Sequence, residues 1–332
     1  MKSFLPVAVA IVVLGLLQVL SGGSAYFVYL AMLVGVNVVL AVSLNIINGL
    51  TGQFSIGHAG FMAVGAYLSA VTSIAMKDFQ LSFLPEAVSN QVFFAVSLLA
   101  GGGAAGLFGF LVGLPSLRLK GDYLAIVTLG FGEIILVAVR NTPSLGGALG
   151  LPGMPQYTTV FAVWFVVFLV VLLARRLLFS PHGRSLAAIR EDEVAAEAMG
   201  VDTTSYKVRA FVVSSFFAGV AGGLFAHFQS IITPGDSFSF VKSMEVVVMV
   251  VAGGLGSTTG AVVAAVVLTL LPEGMRSLFN LLGGDSDSLS IDQLRKPIFG
   301  LLLVIIMLTR PQGIFGTHEA WDWLRKKKEP AT

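Results

Sequence analysis

Residues 26–61 read YFVYLAMLVGVNVVLAVSLNIINGLTGQFSIGHAGF. Tyr26 to Ile47 is dominated by apolar residues and carries no charge. A bilayer core takes roughly 20 such residues per helix. Further on, the character changes. Asn45, Asn48, Thr51, Gln53, Ser55 and His58 are interspersed with glycines at 49, 52, 57 and 60. Backbone groups in hydrocarbon must be satisfied internally. Such a cluster is therefore either helix packing, with polar side chains bonding across a close contact, or a helix break beside a polar pathway. The density of polar groups and glycines favours the second reading. His58 alone fits a packed histidine better than a metal ligand, because no second His or carboxylate stands nearby at ligand spacing.

The rest of the chain repeats the apolar half of this pattern. Of 332 residues, 56% are hydrophobic and 11% charged, with mean hydropathy +0.90. Soluble domains carry about 25% charged residues. Continuous apolar runs, rather than short alternating ones, exclude a β-barrel. Spans are expected at about 5–21, 26–47, 54–76, 91–113, 123–140, 158–178, 207–231, 243–257, 260–276 and 296–309. The first is read as a retained span, since its apolar run is long for a signal peptide. The eighth and ninth are short and joined by AGGLGSTTGA, which suits two spans or partly broken helices. The fold class is an all-α polytopic membrane protein of about ten helices. Ten spans also divide into two five-helix halves of inverted topology. Residues 1–316 form the membrane domain and 317–332 a basic tail.

Charge sets the orientation. With the N-terminus inside, fourteen Lys and Arg fall in inner segments: Lys2, Arg118, Lys120, six from Arg175 to Arg209, and five from Arg310 to Lys328. Six fall outside: Lys77, Arg140, Lys242, Arg276, Arg295 and Lys296. Both termini are then cytoplasmic. There are no cysteines, so disulfides and thiolate metal sites are excluded. No phosphate-binding loop, HExxH or GxSxG motif is present, so the chain does not hydrolyse nucleotide by itself.

Glu133 is the one carboxylate well inside an expected span. An intramembrane ionisable group marks function by default; the bland alternative is an interfacial pair with Arg140. His227 and Gln229 read as packing residues. The outer loop Asn141–Pro155 is rich in turn formers. The largest inner segment, Ser180–Arg209, holds an expected helix from Ser185 to Met199, stopped by Gly200. Its charges, among them Arg190, Glu191 and Glu197, spread around the wheel with alanines between. A membrane-surface helix would show one apolar stripe. A helix charged all round and lined with alanine suits a groove in another protein.

Four stretches together resemble a known family: SLNIINGLTGQFSIGHAGFMAVGAYLSA, KGDYLAIVTLGFGEII, SPHGRSLAAIREDEVAAEAMGVD and RPQGIFG. They look like the LivM-type permease of high-affinity branched-chain amino acid ABC importers, in order from about residue 30 to 316. The resemblance implies a transport subunit in the bacterial inner membrane, without covalent chemistry or a cofactor of its own. Its implied partners are a second, LivH-type permease, two cytoplasmic ATP-binding subunits that carry ATP and Mg, and a periplasmic binding protein that delivers Leu, Ile or Val. Surrounding lipid is the remaining partner, and no nucleic acid is expected. Segment 185–200 would be the coupling helix, with Arg184, Ser185, Arg190, Glu191, Ala195, Ala196, Glu197 and Gly200 as its residues. Many importers place E-A-A-x-x-x-G here; Ala195, Ala196 and Gly200 fit, while Val194 holds the Glu position. Asn45, Asn48, Gln53, Ser55, His58 and Glu133 would lie by the pathway. Related permeases for urea, amides or other amino acids share these features. An ion-coupled carrier and an intramembrane enzyme using His58 with Ser55 are rivals from other classes.

Overall fold

This computed structural model describes residues 25–77, 85–116, 122–229 and 231–281, together with 301, 304, 308–309, 313–314 and 316. The expected first span, most of the tenth, the five-and-five division that depends on them, and the tail 317–332 lie outside the described residues.

Ten α-helices follow in order among the described residues. They are α1 (Ala25–Asn45), α2 (His58–Ala75), α3 (Glu86–Ser116), α4 (Asp122–Arg140), α5 (Val160–Leu178), α6 (Pro181–Glu191), α7 (Glu193–Ala198), α8 (Thr203–Ala226), α9 (Phe240–Gly253) and α10 (Thr258–Leu281). Seven helical segments, α1 with its extension to Thr51 and α2, α3, α4, α5, α8 and α10, are long and apolar enough to span a bilayer. The protein is an all-α integral membrane protein. Each agrees with an expected span to within a few residues, save at the ends of α3 and α10. The exception in kind is α9. Its fourteen residues give about 21 Å at 1.5 Å per residue, short of the roughly 30 Å hydrocarbon core. The stretch before it, Thr233–Ser239, supplies the rest as turns and a single 3-10 turn.

The bundle is arranged by burial. Helices α2, α3 and α8 pack most closely together, with glycines at their closest approaches. A methyl placed on Gly65 would meet the Gly219 backbone at 2.2 Å, and one on Gly101 would meet the Gly65 carbonyl at 2.5 Å. Small residues at such contacts let helix backbones approach, the usual source of association in lipid. Helix α1 runs through the centre, touching α5, α8, α9 and α10; nearly every residue from Val34 to Leu44 is buried. It is apolar all round because it is surrounded. Helix α5 is peripheral, with Phe161 and Phe165 exposed as lipid-facing residues are.

The loop Asn141–Pro155 forms two 3-10 turns, Pro143–Leu145 and Gly147–Leu149, bearing out its turn-rich reading. It ends in β1 (Leu151–Pro152), which pairs antiparallel with β2 (Ile231–Ile232) in the register Leu151↔Ile232. This two-residue clip ties the α4–α5 loop to the segment leading into α9.

Candidate functional site

The polar stretch is a helix break. After Asn45 the helix widens into a π-turn, Ile46–Thr51, and ends at Gly52 with φ +70°. Residues 52–57 are irregular and α2 begins at His58. Loss of the regular ladder frees backbone groups, and Asn48 of the stretch, with Thr128 and Ser243 of neighbouring helices, takes up several of them. Asn48 clamps Ser55 from both sides: its Oδ1 accepts from Ser55 N at 3.2 Å and its Nδ2 donates to Ser55 O at 3.4 Å. Thr128 Oγ1 on α4 accepts from Ile56 N at 3.1 Å. Ser243 Oγ on α9 accepts from Ala59 N at 3.0 Å. Asn45 Oδ1 accepts from Gly256 N at 2.9 Å. Asn45, Asn48, Ser55 and His58 are all buried, while Gln53 is half-buried.

Three atoms in the stretch stay orphaned: Gln53 Oε1, Ser55 Oγ and His58 Nδ1 are buried without a hydrogen-bond partner. Each such group costs about 1–3 kcal/mol, which makes three in one break an uncommon concentration. His58 Nε2 lies 2.9 Å from Ser43 Oγ, and Ser55 is not its partner. Among the described residues no three His, Cys, Asp or Glu side chains gather as a metal site.

Glu133 does not pair with Arg140. Its Oε1 accepts from Phe240 N at 3.0 Å, and so caps the positive N-terminal end of the short helix α9. Arg140 Nε instead donates to the Pro234 carbonyl at 2.9 Å. The same end of α9 holds an ion pair that sequence reasoning missed. Lys242 Nζ reaches Glu245 Oε2 at 3.3 Å and Asn37 Oδ1 at 2.9 Å. The two charged side chains are only 11% and 12% exposed. The Lys242 side chain points into the bundle. The spacing of Lys242 and Glu245 at i, i+3 was the available signal. His227 is a core residue, stacked on Tyr157 and meeting Phe94 edge to face.

The expected single helix 185–199 is two. Asp192 leaves helical geometry at φ −156°, ψ +109°, and its carboxylate accepts from Val194 N and Ala195 N as the N-cap of α7. Asp in a helix-forming run competes for exactly such a cap position, and here it wins. Helix α6 does carry a narrow apolar stripe, Gly183, Leu186 and Ile189, which packs against the bundle. Arg184, Glu191, Ala195, Glu197 and Gly200 are exposed, Ser185 and Arg190 half-buried, and Ala196 buried. Lys207 Nζ, on α8 and 3% exposed, holds Glu193 Oε2 at 2.6 Å. Thr203 Oγ1 donates to Glu197 Oε1 at 2.7 Å. Arg190 turns inward: its Nη1 donates to the Gly49 carbonyl at 3.0 Å.

Close contacts also link the four quoted stretches to one another. Gly49 abuts Gly256 so closely that a methyl on Gly49 would lie 2.3 Å from Gly256 N. Gly60 packs on Gly132. The closing stretch joins through Ile314 N, which donates to Ala252 O at 2.9 Å, while Gly313 abuts Gly254. A groove of about 500 Å³ between α3 and α8 is lined by Phe110, Leu114, Val208, Arg209 and Val212 and holds none of the expected pathway residues.

Residues 26–308 match a family model described as "Branched-chain amino acid transport system / permease component". The chain belongs to this permease family. It is 35% identical over 312 residues to a high-affinity branched-chain amino acid transport system permease protein LivM of Salmonella typhimurium, covering 83% of this chain and 67% of that one. A probable LivM of Methanocaldococcus jannaschii is 28% identical, covering 84% of this chain and 90% of that one. A LivH permease of Salmonella typhimurium is 25% identical, covering 84% and 91%. Among solved structures, PsaBC from Streptococcus pneumoniae in complex with Fab aligns at TM-score 0.45 and 15% identity over 92% of this chain and 96% of that chain, too loose a likeness to argue from. Membership makes this chain a non-enzymatic permease component of a multi-component transport system. The intramembrane-enzyme rival also lacks its constellation, since His58 and Ser55 do not pair.

Proposed function

We propose that this permease imports branched-chain amino acids across the bacterial inner membrane as the membrane subunit of an ATP-driven ABC importer. The partners are a LivH-type permease, two cytoplasmic ATP-binding subunits and a periplasmic binding protein. ATP and Mg act on the partner subunits. Both termini and the α6–α7 loop face the cytoplasm, as the charge distribution favours.

The observation that carries this reading is α7. It stands at the end of the bundle with Val194 66% and Met199 84% exposed, flanked by exposed Ala195 and Glu197. Paired, anchored apolar side chains outside the spans are the composition of a docking knob. The anchors Lys207–Glu193 and Thr203–Glu197 hold that knob against α8, so a partner that grips it grips the bundle. The break at 46–57, with its orphaned polar atoms, is where a pathway would open as the helices move, because a zwitterionic solute needs polar partners there.

The test is co-purification of the detergent-solubilised chain with its ATPase subunits, native against Val194→Asp/Met199→Asp. Both positions are exposed, so the fold is unaffected. Association by the native chain and its loss in the variant is the expected result. No association by the native chain would sink the importer reading in favour of an ion-coupled carrier.

A further inference from the structure

We infer that Arg190 is the positioning residue through which movement of the α6–α7 loop reaches the membrane helices, by holding the inner ends of α1 and α9 to the loop and to each other. This rests on the importer reading above.

Three contacts converge on the side chain. Its Nη1 donates to the Gly49 carbonyl in the π-turn that ends α1. The turn after α9 lies against the same nitrogen, with a methyl on Gly256 falling 2.9 Å from Nη1. The aliphatic stem rests on Gly52, where a methyl would meet Arg190 Cγ at 2.7 Å. Gly52 and Gly256 have φ of +70° and +92°, so glycine is needed both for the backbone turn and for the room. Glu191 Oε1 holds Nη2 at 2.9 Å.

The electrostatics explain why an arginine stands here. The segments ending at Thr51 and Gly253 bring two negative helix C-terminal ends together, and each favours a cation in its last turn. One guanidinium bonds the first end through the Gly49 carbonyl and lies against the turn that follows the second, with donors fixed in a planar fork. Gly49 also abuts Gly256, and Asn45 bonds the Gly256 amide, so the two ends form one unit once Arg190 is seated. An arginine that met an ATPase directly would point outward; this one binds backbone of the membrane helices. Displacement of α6, which Asp192 joins directly to the exposed α7, therefore pulls both helix ends at once.

The test uses the reconstituted importer with all its subunits. In Arg190→Gln, ATPase co-purification and basal ATP hydrolysis persist, while substrate uptake per ATP falls at least tenfold. A second variant separates transmission from folding. Arg190→Lys keeps a cation beside the same helix ends without the guanidinium fork, and recovers uptake per ATP at least threefold over Arg190→Gln. Unchanged coupling in Arg190→Gln would overturn the inference. So would loss of ATPase co-purification in that variant, or no recovery of coupling in an Arg190→Lys protein that co-purifies with the ATPases as the native chain does. A native chain that retains no ATPase overturns the importer reading itself.

Discussion

Lys242 and Glu245 show what a single charged pair costs inside this bundle. Removing one partner of a buried pair takes the counter-charge from the other, at about 3 kcal/mol, whereas replacing both with apolar side chains is far milder. Lys242→Met is therefore expected to lower the unfolding midpoint of the detergent-solubilised protein markedly. Lys242→Met/Glu245→Leu should recover most of that loss, read by intrinsic-fluorescence melting. Equal loss in the two variants would show that the charges act independently. Glycine at 65 acts on the same scale through space rather than charge. A methyl there meets only Gly219 backbone, which has no rotamer by which to yield. Overpacking a flexible core costs about 1–3 kcal/mol; Gly65→Ala should reach the upper end of that range, measured by the same melt.

At the scale of elements, most of the architecture was legible from the chain. Hydropathy placed the long helices because lipid demands continuous apolar runs and nothing else competes with that demand. It placed α9 as a short eighth span to within a few residues, but not the turns at 233–239 that lead into it. It also read 185–199 as one helix. Propensity sums over such a window, but Asp192 has a local alternative, to cap the next turn. The polar cluster was legible from composition alone, and the structure shows Asn48 bonding backbone at the break and Asn45 bonding the Gly256 amide. What spacing could not reveal was direction. Arg190 sits among exposed charges in the sequence, yet its partner Gly49 lies 141 residues away. Long-range pairing of this kind leaves no periodic trace.

For the whole molecule, the expected behaviour is dependence. Reconstituted alone in proteoliposomes, the chain should not move labelled leucine in either direction, and uptake should appear only with the second permease, the ATPases and the binding protein present. Isoleucine and valine should then compete with leucine, and urea or simple amides should not. Leucine flux driven by an ion gradient through the lone chain would favour a carrier instead.

The glycine contacts among α2, α3 and α8 carry a mechanical corollary. Backbone seated on backbone has no side chains to flex, so these three helices cannot slide past one another without separating. They act as a keel. Whatever reshaping accompanies a transport cycle must fall to the helices mounted around it, α1, α9 and α10, which swing against a frame that keeps its form throughout.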